Sequence, residues 1–461
     1  MAAIPDRPTD SAGAPAAATS TRRLAILLGV EVILIAVLRI PYDLGFTAFA
    51  FGDRGSWMTV MALVAQGRRP TIDFGYPYGL LPIWLGSGWF HLCGTTPRAY
   101  QAANLMLGLA MAWAIARIVH ALRLPFVAIV MVIIALPFAI QSSYPSLAHA
   151  LEATLICCAL AEQAAGRRRF ALALATAACF VKPSMGYVYG FVLMVWMAAD
   201  FYWGARRKDR LDWHALWHEL RPAVATTLAL GFILGWRYGP APLLATILPL
   251  TGMKDYVAFN FGFFHGIGRD FWYGTPVLFY FGSVIAFWFA ASIGLALCGL
   301  IALGRLLRGS TESAPTRDEV VISTAVLHVV FLTMFFAGPT SWSYYSYILV
   351  IGAAACCTAA RYATSGAWLL VALAASGQTS TRTQDMIDWK VRAPSAATAG
   401  LWASAEQHDQ WREAVSLIDG QRAALLSSQG CAPLLFPEFE RNSFAYLTPG
   451  IALPHDLDLA L

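Results

Sequence analysis

The chain has 461 residues, 58% hydrophobic and 13% charged, with a formal net charge of +5 and a mean hydropathy of +0.57. Soluble domains average about 25% charged residues, so the composition excludes one and indicates an all-α polytopic membrane protein. The modest positive charge is what basic cytoplasmic connections produce, and it implies no nucleic-acid partner.

Residues 1–21, rich in Ala, Pro, Ser and Thr, bury too little apolar surface to order and read as a disordered cytoplasmic tail. Arg22 and Arg23 precede an apolar run to Ile40 with no A-x-A cleavage pattern, which reads as an uncleaved first span with a cytoplasmic N-terminus. Residues 41–100 follow as one long external loop. Within it, 55–66 reads as a helix along the membrane surface, ended by Gly67 and Pro70. A second interfacial helix, 79–93, carries Trp84 and Trp89. It does not cross: it is short and contains Pro82, Gly86 and Gly88. A crossing there would also put Arg167, Arg168, Arg169 and the basic cluster at 206–210 outside, against the positive-inside rule.

With the arginine-rich connections held in the cytoplasm, further spans fall at about 101–119, 125–140, 147–165, 170–181, 184–202, 222–236, 275–303, 319–336, 345–360 and 365–377. At about 20 apolar residues per crossing, this gives a bundle of about eleven transmembrane helices over 22–377. Residues 204–221 read as a cytoplasmic amphipathic helix with Trp213, Leu216, Trp217 and Leu220 on one face. Residues 237–274 form a second large external loop, and TSWSYYSY (340–347) reads as an interfacial aromatic belt. Residues 378–461 regain charge and form a small external (periplasmic) C-terminal domain, with a helix expected over 402–428. Most of the eight cysteines lie in apolar runs, where they act as small hydrophobes, and no Cys/His spacing suggests a metal site.

Polar residues at the outer end of the spans are the candidates for chemistry. Asp53 is either a general base or an N-cap of the helix beginning at Arg54. Asp73 is a second acid or the fixing residue of the turn before Phe74. Lys182, between two spans at their outer end, needs an anion because a cation beside apolar runs costs about 2.5–3.5 kcal/mol on insertion scales. A lipid phosphate or an ion pair with Glu152 would serve. Arg98 is a phosphate clamp or an interfacial anchor. Tyr76 and Tyr78 flank the second interfacial helix, and His265 and Arg269 stand in the second loop as contacts for a sugar or an acceptor, or as plain solvated groups.

The run Ala62 to Gly67, Pro70, Asp73-Phe74, Tyr76-Pro77-Tyr78-Gly79, Leu81-Pro82, Gly94 and Arg98, placed behind Asp53, resembles the pattern of GT-C glycosyltransferases. These are multi-spanning enzymes using polyprenyl-phosphate sugars, such as protein mannosyltransferases and aminoarabinose transferases. Ser146 to Glu152 resembles the family's acidic position in the fourth span, and Phe180-Val181-Lys182-Pro183 its lysine after the fifth. The resemblance covers roughly the first 200 residues, and departs where Arg54 follows Asp53 in place of a second acid.

The resemblance implies an inverting sugar transfer at the outer face of the inner or plasma membrane. Asp53 would take the acceptor's proton, while Arg98 and Lys182 would hold the donor phosphate. The donor would be a polyprenyl-phosphate sugar and the acceptor a lipid, glycan or protein, among membrane lipids. No cofactor is predicted, and a divalent metal stays open because the oligosaccharyltransferase branch uses one. The rival readings are a lipid or glycan transporter or flippase, which predicts similar halves that this chain lacks, and a non-catalytic envelope assembly subunit.

Overall fold

The computed structural model describes residues 53–65, 67–74, 76, 78–124, 146–208, 212–248, 277–307, 315–334 and 346–356, with scattered positions in 25–33, 128–132 and 391–413. The expected spans at 22–40, 125–140 and 365–377 lie largely or wholly outside these residues, as do His265 and Arg269.

Two helices open the described chain. Helix α1, Asp53–Ala65, stops before Gly67, whose φ of +83° is a left-handed conformation that glycine adopts without strain. A tight turn over 69–74 follows, in which the Thr71 N–H donates to the Phe74 carbonyl at 2.8 Å. Helix α2, Leu80–Cys93, ends at Gly94, again at positive φ (79°). Fourteen residues rise about 21 Å, short of a hydrocarbon core of about 30 Å. The two helices pack on each other.

Helix α3, Pro97–Ala121, has Pro at its first position and Thr96 as N-cap, accepting from the Ala99 N–H. Then come α4, Leu147–Ala164, α5, Arg168–Cys179, α6, Met185–Lys208, α7, Trp213–Tyr238, α8, Pro240–Ile247, α9, Val277–Leu307, α10, Pro315–Met334, and α11, Ser346–Cys356. Helix α3 packs on α4, α4 on α5, and α5 on both α6 and α7; α10 joins α9 and α11 to this group through α6 and α4. Small residues such as Ala112, Ala150, Ala161, Ala171 and Ala175 are fully buried at these crossings and let the helix backbones approach closely.

Helix α3 and the Met185–Tyr202 part of α6 are long and apolar enough to cross a bilayer. Large apolar side chains point away from the bundle: Phe191 on α6, Leu228, Phe232 and Trp236 on α7, and Leu300 on α9 are exposed, Trp236 to 83%. A soluble protein would bury stripes of this size; lipid is their natural solvent.

One end of the bundle is basic and tied by ion pairs. Arg117 and Arg167 hold Glu162 at 2.7 Å and 2.6 Å. Arg168 reaches both Asp200 and Glu319, and Arg305 pairs with the fully buried Asp318 at 2.6 Å. These contacts gather the C-terminal ends of α3, α4 and α9 with the N-terminal ends of α5 and α10, the arrangement expected if their arginine-rich connections share one side. Just inside, Gln163 bridges Tyr189 (2.7 Å) and Ser323 (3.0 Å), joining α4, α6 and α10.

Three expectations need correcting. Residues 213–238 are one continuous helix through Pro222, where a cytoplasmic helix and a separate span were expected; packing along α5 outweighs the hydrogen bond that proline cannot make. Tyr347 is completely buried in α11, so this tyrosine belongs to the core and not to an interfacial belt. Trp402–Ala403 form a strand paired antiparallel with Val391–Arg392, so the helix expected from 402 does not begin there.

Candidate active site at the turn between α5 and α6

The site is built where the loop before α2 meets the turn after α5. Gly79 donates its N–H to the Val181 carbonyl at 2.8 Å, and the Leu81 N–H donates to the Phe180 carbonyl at 3.0 Å. These two bonds join segments about a hundred residues apart in sequence. The approach is so close that a Cβ on Gly79 would lie 2.0 Å from the Phe180 oxygen. Glycine is required here for space and not for backbone angle, since its φ of −68° suits any residue. The backbone on both sides of the contact is buried, at Gly79 and Leu80 and at Phe180 and Val181.

The docking sets Tyr78 beside Lys182. The Lys182 ammonium is 5.7 Å from the centre of the Tyr78 ring and 3.0 Å from His149 Nε2. His149 stands in the first turn of α4, with Nδ1 2.9 Å from the hydroxyl of the N-cap Ser146. Lysine has only donors, so Nε2 is the acceptor, the imidazole proton sits on Nδ1, and Nδ1 donates to Ser146 Oγ. The Tyr78 ring meets the His149 ring edge-on at 5.4 Å. Ser146, His149 and Lys182 are all buried.

Aromatic rings extend the cluster back to α1. Tyr78 packs against Tyr76 (5.8 Å) and Tyr76 against Trp57 (6.1 Å), and Trp57 lies one helical turn beyond Asp53. Trp57, Tyr76, Phe180, Val181, Leu147 and Tyr238 share one apolar core. Inside it, the Tyr76 hydroxyl and the Trp57 indole N–H are buried without a hydrogen-bond partner among the described residues. Burial, reinforced by Tyr238, pushes the Tyr76 phenol well above its ordinary pKa, so it stays protonated and available as a donor.

The remaining candidates fall in different places. Asp53 stands at the N-terminal end of α1. Asp73 closes the turn before α2: one carboxylate oxygen accepts from the Arg69 backbone N–H at 2.7 Å and faces its guanidinium at 3.3 Å. Desolvation raises the Asp73 carboxyl, but the Arg69 bonds and the charges of Arg69 and Arg68 outweigh it and leave the pKa below its usual value. Arg98 is exposed in the first turn of α3. Glu152 is buried and accepts from Ser184 Oγ (2.6 Å) and from the Met185 N–H (3.1 Å), so it caps the N-terminus of α6.

Lys182 lies at the C-terminal end of α5, a helix of twelve residues. Its backbone N–H donates to the Ala178 carbonyl at 3.1 Å, and its side chain is buried. Sequence reasoning did not single out His149. The signal was the i, i+3, i+6 series Ser146, His149, Glu152, three polar residues on one face of an apolar span, where each is costly without a partner. Among the described residues no group of three or more His, Cys, Asp and Glu side chains is placed to hold a metal ion.

No protein-family model matches the chain, and no curated protein matches it. Among solved structures it is similar to one described as the crystal structure of ArnT from Cupriavidus metallidurans bound to undecaprenyl phosphate, with 15% identity over 90% of this chain and 85% of that one. The TM-score is 0.39, a loose overlap on which no residue of the site depends.

Proposed function

We propose that the protein is a membrane glycosyltransferase of the GT-C kind, moving a sugar from a polyprenyl-phosphate donor to a lipid, glycan or protein acceptor. The observation that carries this reading is the buried Lys182 ammonium, held by His149 and Tyr78 where the first-loop pattern docks. A buried ammonium beside apolar helices attracts an anion arriving along the bilayer. A lipid phosphate has the right charge and the right route. The buried Tyr76 and Trp57 donors add hydrogen-bonding capacity of the kind that hydroxyl-rich groups use.

In this reading Asp53 removes the proton from the acceptor hydroxyl as its oxygen attacks the anomeric carbon. The bond from that carbon to the phosphate oxygen breaks, and its electron pair leaves with the polyprenyl phosphate. Lys182, with Arg98 nearer the surface, offsets the charge developing there. The attack from the opposite side inverts the anomeric centre.

Two substitutions test the assignment. Asp53→Asn keeps the shape of the side chain but cannot take a proton, so turnover should fall at least about 100-fold with donor binding unchanged. Lys182→Met keeps the apolar stem but removes the charge and should weaken binding of undecaprenyl phosphate. Near-normal turnover in the first and unchanged affinity in the second would overturn the reading.

A further inference from the structure

We propose that Cys298 and Cys356 are a redox-active thiol pair, oxidised by hydroperoxides to a disulfide that staples α9 to α11. The inference is independent of the glycosyltransferase reading, because it uses neither the first loop nor Lys182.

A glycine brings the two helices together. A Cβ built on Gly352 of α11 would lie 2.8 Å from Leu295 Cδ1 on α9 and 2.8 Å from Thr324 Oγ1 on α10, so α11 presses bare backbone against both neighbours. Cys298 stands three residues past Leu295 and Cys356 four past Gly352, the spacings that keep side chains on one face of a helix. The thiols meet on that face, where the Cys298 side chain is hydrogen-bonded to that of Cys356. A disulfide requires Cβ atoms about 3.5–4.5 Å apart; the close approach at Gly352 and the thiol contact itself bring the pair towards that separation. Other cysteines are placed differently. Cys157 and Cys158 are adjacent on α4, where successive side chains point to different sides, and Cys179 Sγ donates to the Ala175 carbonyl at 3.4 Å.

The surroundings suit oxidation. Arg305, two turns further along α9, pairs with Asp318 at 2.6 Å and also acts electrostatically on both sulfurs. Positive charge beside a thiol favours the thiolate, the form that peroxides oxidise. The pair lies towards the basic end of the bundle, the side read as cytoplasmic, where disulfides are transient and redox-sensing. Cys298 is the half-buried partner and Cys356 the buried one, so Cys298 meets the oxidant first. Its sulfur attacks the peroxide: an S–O bond forms, the O–O bond breaks, and the departing alkoxide takes a proton to become an alcohol. The Cys356 sulfur then displaces hydroxide from the resulting sulfenic acid, and water leaves with the Cys356 proton. Two thiols and one hydroperoxide thus give one disulfide, one alcohol and one water, with two electrons passing to the peroxide.

Purified full-length protein in nanodiscs of saturated phosphatidylcholine would be treated with cumene hydroperoxide, denatured under alkylation, digested and mapped by mass spectrometry. Wild type should lose the Cys298 and Cys356 thiols together and yield a peptide pair joined through them, with a raised melting temperature; dithiothreitol should restore both thiols and the original melting. Cys357→Ser should give the same linked pair. Cys356→Ser should give none, and its Cys298 should be captured by dimedone as the sulfenic acid. Both thiols remaining free in wild type, Cys298 joined to a different cysteine, or separate sulfinic acids at the two positions would overturn the proposal. The decisive measurement is on the wild-type chain, so it stands even if a serine variant does not fold.

Discussion

Gly79→Ala is the sharpest test of how the site is assembled. The backbone at Gly79 has φ −68° and ψ 163°, angles that alanine adopts freely, so any penalty must come from the added methyl. That carbon would lie 2.0 Å from the Phe180 oxygen and 2.4 Å from its carbonyl carbon. Both contacts are to backbone, which cannot rotate away. To reach 3.0 Å, itself a tight contact, the two segments must part by about 1 Å. The Gly79–Val181 and Leu81–Phe180 hydrogen bonds, at 2.8 Å and 3.0 Å, then stretch beyond useful length. Each lost bond costs about 1 kcal/mol, or up to about 3 if its buried partners stay unsatisfied, for a total of about 2–6 kcal/mol. Gly88→Ala is the matched control on the same helix, since nothing lies within 4 Å of its added carbon; it should be neutral or stabilising by up to about 1 kcal/mol. Hydrogen exchange in detergent, read on peptides covering 78–84 and 178–184, should show faster exchange in Gly79→Ala alone, with a lowered melting temperature. Wild-type exchange and melting in that variant would mean that the two segments are not in contact as described.

Other outcomes follow from the ion pairs and from the reading of the first loop. Arg168→Leu strands the buried Glu319 and releases Asp200; it should cost about 3 kcal/mol in thermal unfolding, and a loss under about 1 kcal/mol would refute the clamp. Asp73, whose pKa is lowered in the fold, contributes stability at pH values above the unfolded carboxyl range, and that contribution is lost as pH falls through the folded value. The exposed pair is worth less than about 1 kcal/mol, so Asp73→Asn should melt slightly below wild type at pH 7, with the gap narrowing as the pH falls below the ordinary carboxyl range; a gap that widens on acidification would contradict the assignment. If α2 does not cross the bilayer, Arg68→Cys and Thr95→Cys, both at exposed positions and each in a background without native cysteines, should react with an impermeant thiol reagent from the same side. Reaction of only one from that side would place a crossing between them.

Local pattern was enough for several features. Gly67 and Gly94 end α1 and α2 because a positive φ there is cheap only for glycine; α3 begins at Pro97 behind the Thr96 cap, ahead of the start expected at about 101. The 14-residue extent of α2 was readable from its bounding turn residues. Asp73 had two readings in the sequence, and its bonds to Arg69 four residues away favour the turn. All of these depend on neighbours within a few positions, which is the range over which sequence pattern carries physical information.

What the sequence could not decide lies between distant segments. It left Lys182 with a choice between a phosphate and Glu152; the fold puts His149 against the ammonium and sets Glu152 on the N-terminus of α6. It marked Gly79 as part of a pattern without a reason, and only the docking of that backbone on Phe180 shows why a side chain is excluded. It split 204–236 at Pro222, where packing on α5 keeps one helix. Periodicity and hydropathy determine which residues leave water and where helices start and stop, because those are one-body and near-neighbour energies. Which buried polar group meets which is a pairwise question across the bundle, fixed only when helix packing brings the partners within about 3 Å and one hydrogen bond excludes its alternatives.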